Sequence, residues 1–434
     1  MNMNFQKTLL EKILSHQCGV HLPEKMVHPY YEGASIRNIP ASILKNFGAQ
    51  LPDTTPLLPE IEAHLFSEIY DHIGLFLIDG LGYDWFLNYL QAENDNNHAP
   101  KFWNEIMNNA RISPLTSISP STTAAALTTY WTGASPAAHG VLGYEMWLKE
   151  FGILGNMILH GPAAARGAVG ALYNAGMEPE NFVPVPTIAR ALADQGVAVQ
   201  SMQHYSIVNS GLSTTLDNGA RRMPFKCLAD LFCNYEQALS GADAPDKSYT
   251  WLYYSEHDSL GHPYGVSDPR VHHDFAGLGF MLSQFLRRAR TSSTQKRLLL
   301  ISADHGHLVT PKDPKYDLVN YPDVEMHLAM APSGDNRLPY FYVKPGHEQA
   351  LVMAIETHFS GDEFAILKSE DALKDGLFGP EPHFNRSADR IGNYVLIPQG
   401  TSYLWWSDRP NPLLGRHVGL SRTEMVVPLI AVEY

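Results

Sequence analysis

Three apolar runs end on acids, and this constrains the fold of the chain more than any other feature. Asp79 closes LFLIDGLG, Asp258 and His262 follow the WLYY run in EHDSLGH, and Asp304-His305 closes LLLISADHG. Branched or aromatic runs of this length that stop at a polar cluster read as buried parallel strands. In an open α/β sheet, ligands collect outside the carboxyl ends of such strands. The three motifs are therefore expected to converge and, being carboxylate and imidazole, to describe a metal site.

The rest of the chain alternates in the same way. Strands are predicted at 74–78, 112–118, 197–202, 251–255 and 298–303, with helical spacing at about 123–131, 187–195 and 271–290. This alternation predicts an α/β fold, a doubly wound and mostly parallel sheet flanked by helices. Phe5, Leu9, Leu10, Ile13 and Leu14 predict a helix over 5–15, and residues 1–60 read as an N-terminal extension. The core domain is expected over 70–434. Within it, LPYFYVKPG, ALVMAIETHF and EFAILKS read as strand, helix and strand of a smaller inserted cap at 315–400. Ser421 to Glu424 reads as a capping box before the run MVVPLIAV.

Composition narrows the partners. Among 434 residues, 31 Lys and Arg stand against 45 Asp and Glu, for a net charge of -14. With no basic run, a nucleic-acid polymer is not expected as a partner, while a small substrate is allowed. Cys18, Cys227 and Cys233 form neither a disulfide framework nor a zinc spacing. No run of about 18 apolar residues and no secretory-type N-terminus is visible, so no membrane partner and a cytoplasmic location are expected. Oligomeric state is left open, a dimer included.

The remaining chemistry lies at 117–147. A strand ending at Ile118, a Pro turn and the cluster Ser121-Thr122-Thr123 open an Ala-rich helix, which puts a hydroxyl at a helix N-terminus, where anions are favoured. Such a hydroxyl becomes a nucleophile only when activated by a base or a metal.

Taken in order, these motifs resemble the alkaline phosphatase superfamily, and within it the nucleotide pyrophosphatase/phosphodiesterase-like branch. Asp79 follows the first strand, Thr123 lies ten residues before Gly133 of Thr132-Gly133, and Asp258 with His262, Asp304 with His305 and His417 follow. The segment through Ala138-His139-Gly140 is similar as well. The resemblance spans about 70–434.

It implies a hydrolase of phosphate esters, a phosphodiesterase or nucleotide pyrophosphatase working through phospho-Thr123 on a small phosphorylated substrate such as a nucleotide. It also implies two divalent metal ions, zinc by preference, with manganese or iron as alternatives. Asp258, His262 and His417 would hold one ion; Asp79, Asp304, His305 and the Thr123 oxygen would hold the other. The spacing to Gly133 favours Thr123 over Thr122. One departure is read at Ala126, where an Asn holding a phosphoryl oxygen is expected.

Neighbouring residues are read more plainly. His139 is expected to satisfy a loop, His307 to orient a ligand, Arg221-Arg222 to be solvated, and Tyr403 to Trp406 to pack. Tyr144 and Trp147 are candidate pocket walls. The alternative functions are a phosphomonoesterase or phosphonate (C–P) hydrolase of the same superfamily and, in another class, a metal-stabilised binding protein without turnover.

Overall fold

A computed structural model describes residues 3–95, 100–165, 168–241, 243–290, 295–407 and 409–434. The central sheet has seven strands, in the spatial order Ala110–Thr116, Val426–Glu433, Arg297–Ser302, His72–Ile78, Ser248–Tyr254, Ala198–Met202 and Arg221–Arg222. All five strands read from the sequence are present, each shifted by at most three residues at either end. The three strands that lead to the acid motifs are adjacent and parallel, with Leu77 level with Ser302 on one side and Tyr253 on the other. Each of these strands is buried along its whole length, because helices cover both faces of the sheet.

The flanking helix Pro269–Ala289 shows how local chemistry sets an element. Asp268 caps it by accepting the Arg270 N–H at 2.9 Å, Pro269 opens it, and Val271, Phe275, Leu278, Leu282 and Phe285 form the buried stripe.

The C-terminus departs from its sequence reading. Ser421 precedes a helix of only four residues, Arg422–Met425, and makes no side-chain cap. Its hydroxyl instead donates to the Glu424 carboxylate at 2.5 Å. The apolar run is the strand Val426–Glu433, the antiparallel member of the sheet, inserted between Ala110–Thr116 and Arg297–Ser302. β-Branched Val426, Val427, Ile430 and Val432 suit that buried position.

A second sheet is antiparallel and also has seven strands. Ser333–Asp335, Leu338–Phe341, Phe364–Lys368 and Tyr394–Pro398 come from the 315–400 range, together with the helix Glu348–His358. Its other strands, Glu145–Leu148, Ile153–Asn156 and Gly161–Pro162, follow the helix Thr123–Thr132, and Gly334 bridges to Glu145. Before residue 60, the helices Met3–Ser15 and Ile39–Asn46 bury Ile13, Ile39 and Ile43 in the main core. Among the described residues no helix is long and apolar enough to cross a membrane.

Candidate metal centre and active site

Asp79 is the first residue beyond His72–Ile78, and its N–H donates to the Tyr254 carbonyl at 2.9 Å, which continues the ladder into the turn. Asp304 lies two residues past Arg297–Ser302; its Oδ1 accepts the N–H groups of Gly80 and His305, each at 3.0 Å. Asp258 and His262 sit one turn apart on the short helix Glu256–Tyr264, with His262 Nε2 3.3 Å from Asp258 Oδ2. His417 joins from the far end of the chain, its Nε2 3.8 Å from Asp258 Oδ1.

These side chains form two groups whose ligating atoms lie within 4.8 Å of one another: Asp258, His262 and His417, and Asp79, Asp304 and His305. A third combination, Asp258, His305 and His307, spans them. His305 links the groups physically, since its ring stacks on His417 with centroids 3.6 Å apart and planes 7° apart. Its Nε2 is 3.4 Å from Asp79 Oδ1 and 3.4 Å from Asp304 Oδ2.

Hydrogen bonding sets the tautomers. His262 donates from Nδ1 to the Gly415 carbonyl at 3.0 Å, His305 to the Gly306 carbonyl at 3.1 Å and His417 to the Ser121 carbonyl at 3.1 Å. A carbonyl only accepts, so all three Nδ1 atoms carry hydrogen and all three Nε2 atoms point inward, the orientation of metal-ligating histidines. Asp79 Oδ1 and Asp304 Oδ2 are buried without a hydrogen-bond partner. Burial, reinforced by the charges of Asp304 and Asp258, pushes the Asp79 carboxyl well above the usual carboxylate range. Burial, then proximity to His305, holds His417 far below the usual imidazole value. Crowded acids that cannot all ionise, beside the neutral imidazole of His417, suit divalent cations, whose charge reverses that penalty. The donor set of nitrogen and carboxylate oxygen fits zinc.

Burial by itself would lower His262, but the Asp258 carboxylate overrides it and raises the imidazole to about 9. Asp258 is in turn held well below its ordinary value: burial opposes ionisation, and His262 and His307 overcome it. His307 Nε2 donates to Asp258 Oδ1 at 2.6 Å. Its ring occupies a slot lined by Gly80, Gly261 and Gly415; a Cβ on Gly80, which has a positive φ of 75°, would stand 2.8 Å from the ring. His307→Ala is expected to weaken metal binding about 10- to 100-fold by freeing Asp258. Zinc titration against a chromogenic chelator measures this, and an unchanged affinity would show that His307 does not hold Asp258.

Thr123 opens the helix Thr123–Thr132, with Oγ1 3.4 Å from His305 Nε2. Thr122 occupies the N-cap position and its side chain meets Asp335. Ala126 is fully buried on the same helix, so that position cannot present a donor to the site.

The other sequence readings resolve individually. His139 Nδ1 accepts the Val141 N–H at 3.1 Å and Nε2 meets Thr129 Oγ1 at 3.0 Å, a satisfied buried histidine. Arg221-Arg222 lies on the edge strand of the main sheet, away from the cleft, with Arg222 3.5 Å from Asp217. Trp405 and Trp406, read as packing residues, line the cleft, as does Tyr144.

The cleft, ≈ 850 Å³, is lined by Thr123, Asp335 and Glu145 and by the apolar side chains of Ile158, Leu159 and Leu413. Sequence reasoning missed Asp335 and Glu145, because the second sheet brings them in from segments about 190 residues apart. It also missed Tyr253, whose phenol donates to Asp79 Oδ2. Its position within WLYY, beside the strand that carries Asp79, was the available signal.

The sequence matches the family described as Type I phosphodiesterase / nucleotide pyrophosphatase over residues 75–417. No curated protein sequence matches the chain. Among solved structures, murine ectonucleotide pyrophosphatase / phosphodiesterase 5 aligns at 16% identity over 82% of this chain and 87% of its own, with a TM-score of 0.60. An inactive variant of that protein in complex with AMP aligns over the same shares at 16% identity, with a TM-score of 0.58. Phosphonoacetate hydrolase from Sinorhizobium meliloti 1021, in complex with phosphonoformate, aligns at 19% identity over 85% of this chain and 92% of its own, with a TM-score of 0.59. These likenesses establish a shared fold.

Proposed function

This chain belongs to the type I phosphodiesterase / nucleotide pyrophosphatase family of enzymes, and from that premise we propose that it cleaves phosphodiester or pyrophosphate bonds of small, nucleotide-like substrates through a phospho-Thr123 intermediate. The observation that carries this is the position of Thr123 Oγ1, at a helix N-terminus and 3.4 Å from the His305 imidazole, which belongs to one donor group and stacks on His417 of the other.

Asp258, His262 and His417 would hold one divalent ion, and Asp79, Asp304, His305 and the Thr123 oxygen the other, with zinc the proposed metal. Bound there, such ions lower the pKa of a nearby hydroxyl and neutralise phosphoryl charge. Thr123 Oγ1 forms the new bond to phosphorus while the bond to the leaving oxygen breaks. The N–H groups at the start of Thr123–Thr132 face the developing negative charge. Water then cleaves the Thr123–phosphate bond and restores the hydroxyl.

The lining of the cleft favours a diester. Among its described residues Arg409 is the one arginine and there is no lysine, a poor setting for a monoester dianion. Tyr144, Trp405, Trp406 and the apolar Ile158, Leu159 and Leu413 in the lining suit a second ester group. We read 70–434 as the catalytic domain, with residues 1–60 as its extension and 315–400 as a cap bearing on selectivity, and we take the location to be cytoplasmic.

A chromogenic phosphodiester assayed beside the matching monoester, with zinc and with a chelator, tests the reading. Metal-dependent preference for the diester is expected. Preference for the monoester would move the assignment to a phosphatase. Turnover of neither would direct the search to phosphonates, the class named for the bacterial protein of the same fold.

A further inference from the structure

Each donor group contains one carboxylate steered by a ring outside the group. Asp258 is held by His307, and Asp79 by Tyr253. Tyr253 is the penultimate residue of Ser248–Tyr254; the parallel register sets it beside Leu77, two residues short of Asp79. Its phenol donates to Oδ2 of Asp79. Oδ1, the oxygen facing His305 Nε2 at 3.4 Å, is left buried with no hydrogen-bond partner. Tyr253 is 6% exposed and lines the cleft, so the hydroxyl sits where the cleft wall meets the metal centre.

We propose that Tyr253 is a positioning residue that makes Asp79 a one-oxygen ligand and so sets the affinity of the Asp79–Asp304–His305 group independently of its neighbour. This rests on the two-metal reading above. A carboxylate free to rotate can offer either oxygen or chelate with both. One whose Oδ2 is occupied by a hydroxyl offers Oδ1 alone, in a fixed direction, and outer partners of this kind commonly govern ligand geometry. The ladder bond from Asp79 N–H to the Tyr254 carbonyl at 2.9 Å holds the backbone of the same turn, so the phenol acts on the side chain.

The test is Tyr253→Phe, which keeps the ring that fills the strand end and removes only the hydroxyl. Zinc per chain is counted on the purified protein, stepwise affinities are measured by competition with a chromogenic chelator, and the thermal midpoint of the chelated form is recorded. One of the two ions is expected to bind about 10- to 100-fold more weakly, with the other unchanged and the chelated protein melting near wild type. His307→Ala, acting on Asp258, should weaken the opposite ion. Two wild-type affinities in Tyr253→Phe would overturn the proposal, as would equal weakening of both ions together with a lowered melting point, which would mark a structural role only. A wild-type protein that binds a single ion would instead remove the two-metal reading, and this inference with it.

Discussion

Thr123→Ala is expected to lower phosphodiester hydrolysis by at least about 10³-fold while both ions stay bound. Removing the attacking atom of a covalent mechanism abolishes the route through the intermediate, and such losses reach about 10⁶-fold in other enzymes. Metal retention follows from the donor count. Each group keeps three protein ligands without Thr123, and the Nδ1 bonds that aim His262, His305 and His417 run to backbone carbonyls that the substitution does not touch. Steady-state assays and metal analysis on the same preparation decide the point. A variant retaining wild-type turnover would remove Thr123 as nucleophile and send the search to Thr122. A variant that lost its metal would make Thr123 a structural ligand.

Glu424→Gln should cost stability, about 3–5 kcal/mol, because it strands a buried charge. Arg337 and Glu424 are both fully buried and paired through two bonds, Nε to Oε1 at 3.0 Å and Nη2 to Oε2 at 2.7 Å. Gly419 N–H and the Ser421 hydroxyl complete the carboxylate, and the Gly400 carbonyl accepts from Arg337 Nη1 at 3.0 Å. Glutamine keeps the shape and removes the charge that compensates the guanidinium. The pair also joins the second sheet to the metal loop, since the Glu424 carbonyl accepts the Gly306 N–H at 2.8 Å.

The pH dependence has a definite sign. Burial alone would raise the Glu424 carboxyl, but Arg337 overcomes it and the folded value lies below the ordinary one. Its stabilisation is therefore complete above the unfolded value of about 4.3 and is lost as pH falls from there through the folded value. Thermal melts from pH 7 down to 3 should show the wild-type advantage over Glu424→Gln narrowing only at the acid end. An advantage that does not change with pH would mean the ion pair is not its source.

Most of the residues that the structure gathers into the candidate donor cluster were legible because they sit in local patterns. A buried parallel strand announces itself as an uninterrupted apolar run, and an acid directly after it must lie at the sheet's carboxyl edge. Asp79 and Asp304 follow from that rule, and Asp258 with His262 from the one-turn spacing of Glu256–Tyr264. The change from a Pro turn to an Ala-rich helix marked the hydroxyl cluster Ser121-Thr122-Thr123, and the family spacing to Gly133 singled out Thr123 within it. Where a pattern was ambiguous the reading failed. Ser421 and Glu424 have capping-box spacing, yet the pull of Arg337 on the carboxylate and of the sheet on Val426–Glu433 outweighs a cap worth about 1 kcal/mol.

The sequence by itself determined the order of the strands' polar endings, the helix that presents Thr123 and the chemical type of the donors, since these depend on residues within a few positions of one another. The tertiary structure alone decided which atoms of those donors face inward. The Ser121 carbonyl that orients His417 is 296 residues away from it, the Gly415 carbonyl that orients His262 is 153 away, and the Tyr253 hydroxyl that occupies Asp79 Oδ2 is 174 away. Hydrogen-bond direction depends on where distant backbone comes to rest, and that follows from packing both sheets against their helices. No local periodicity encodes it.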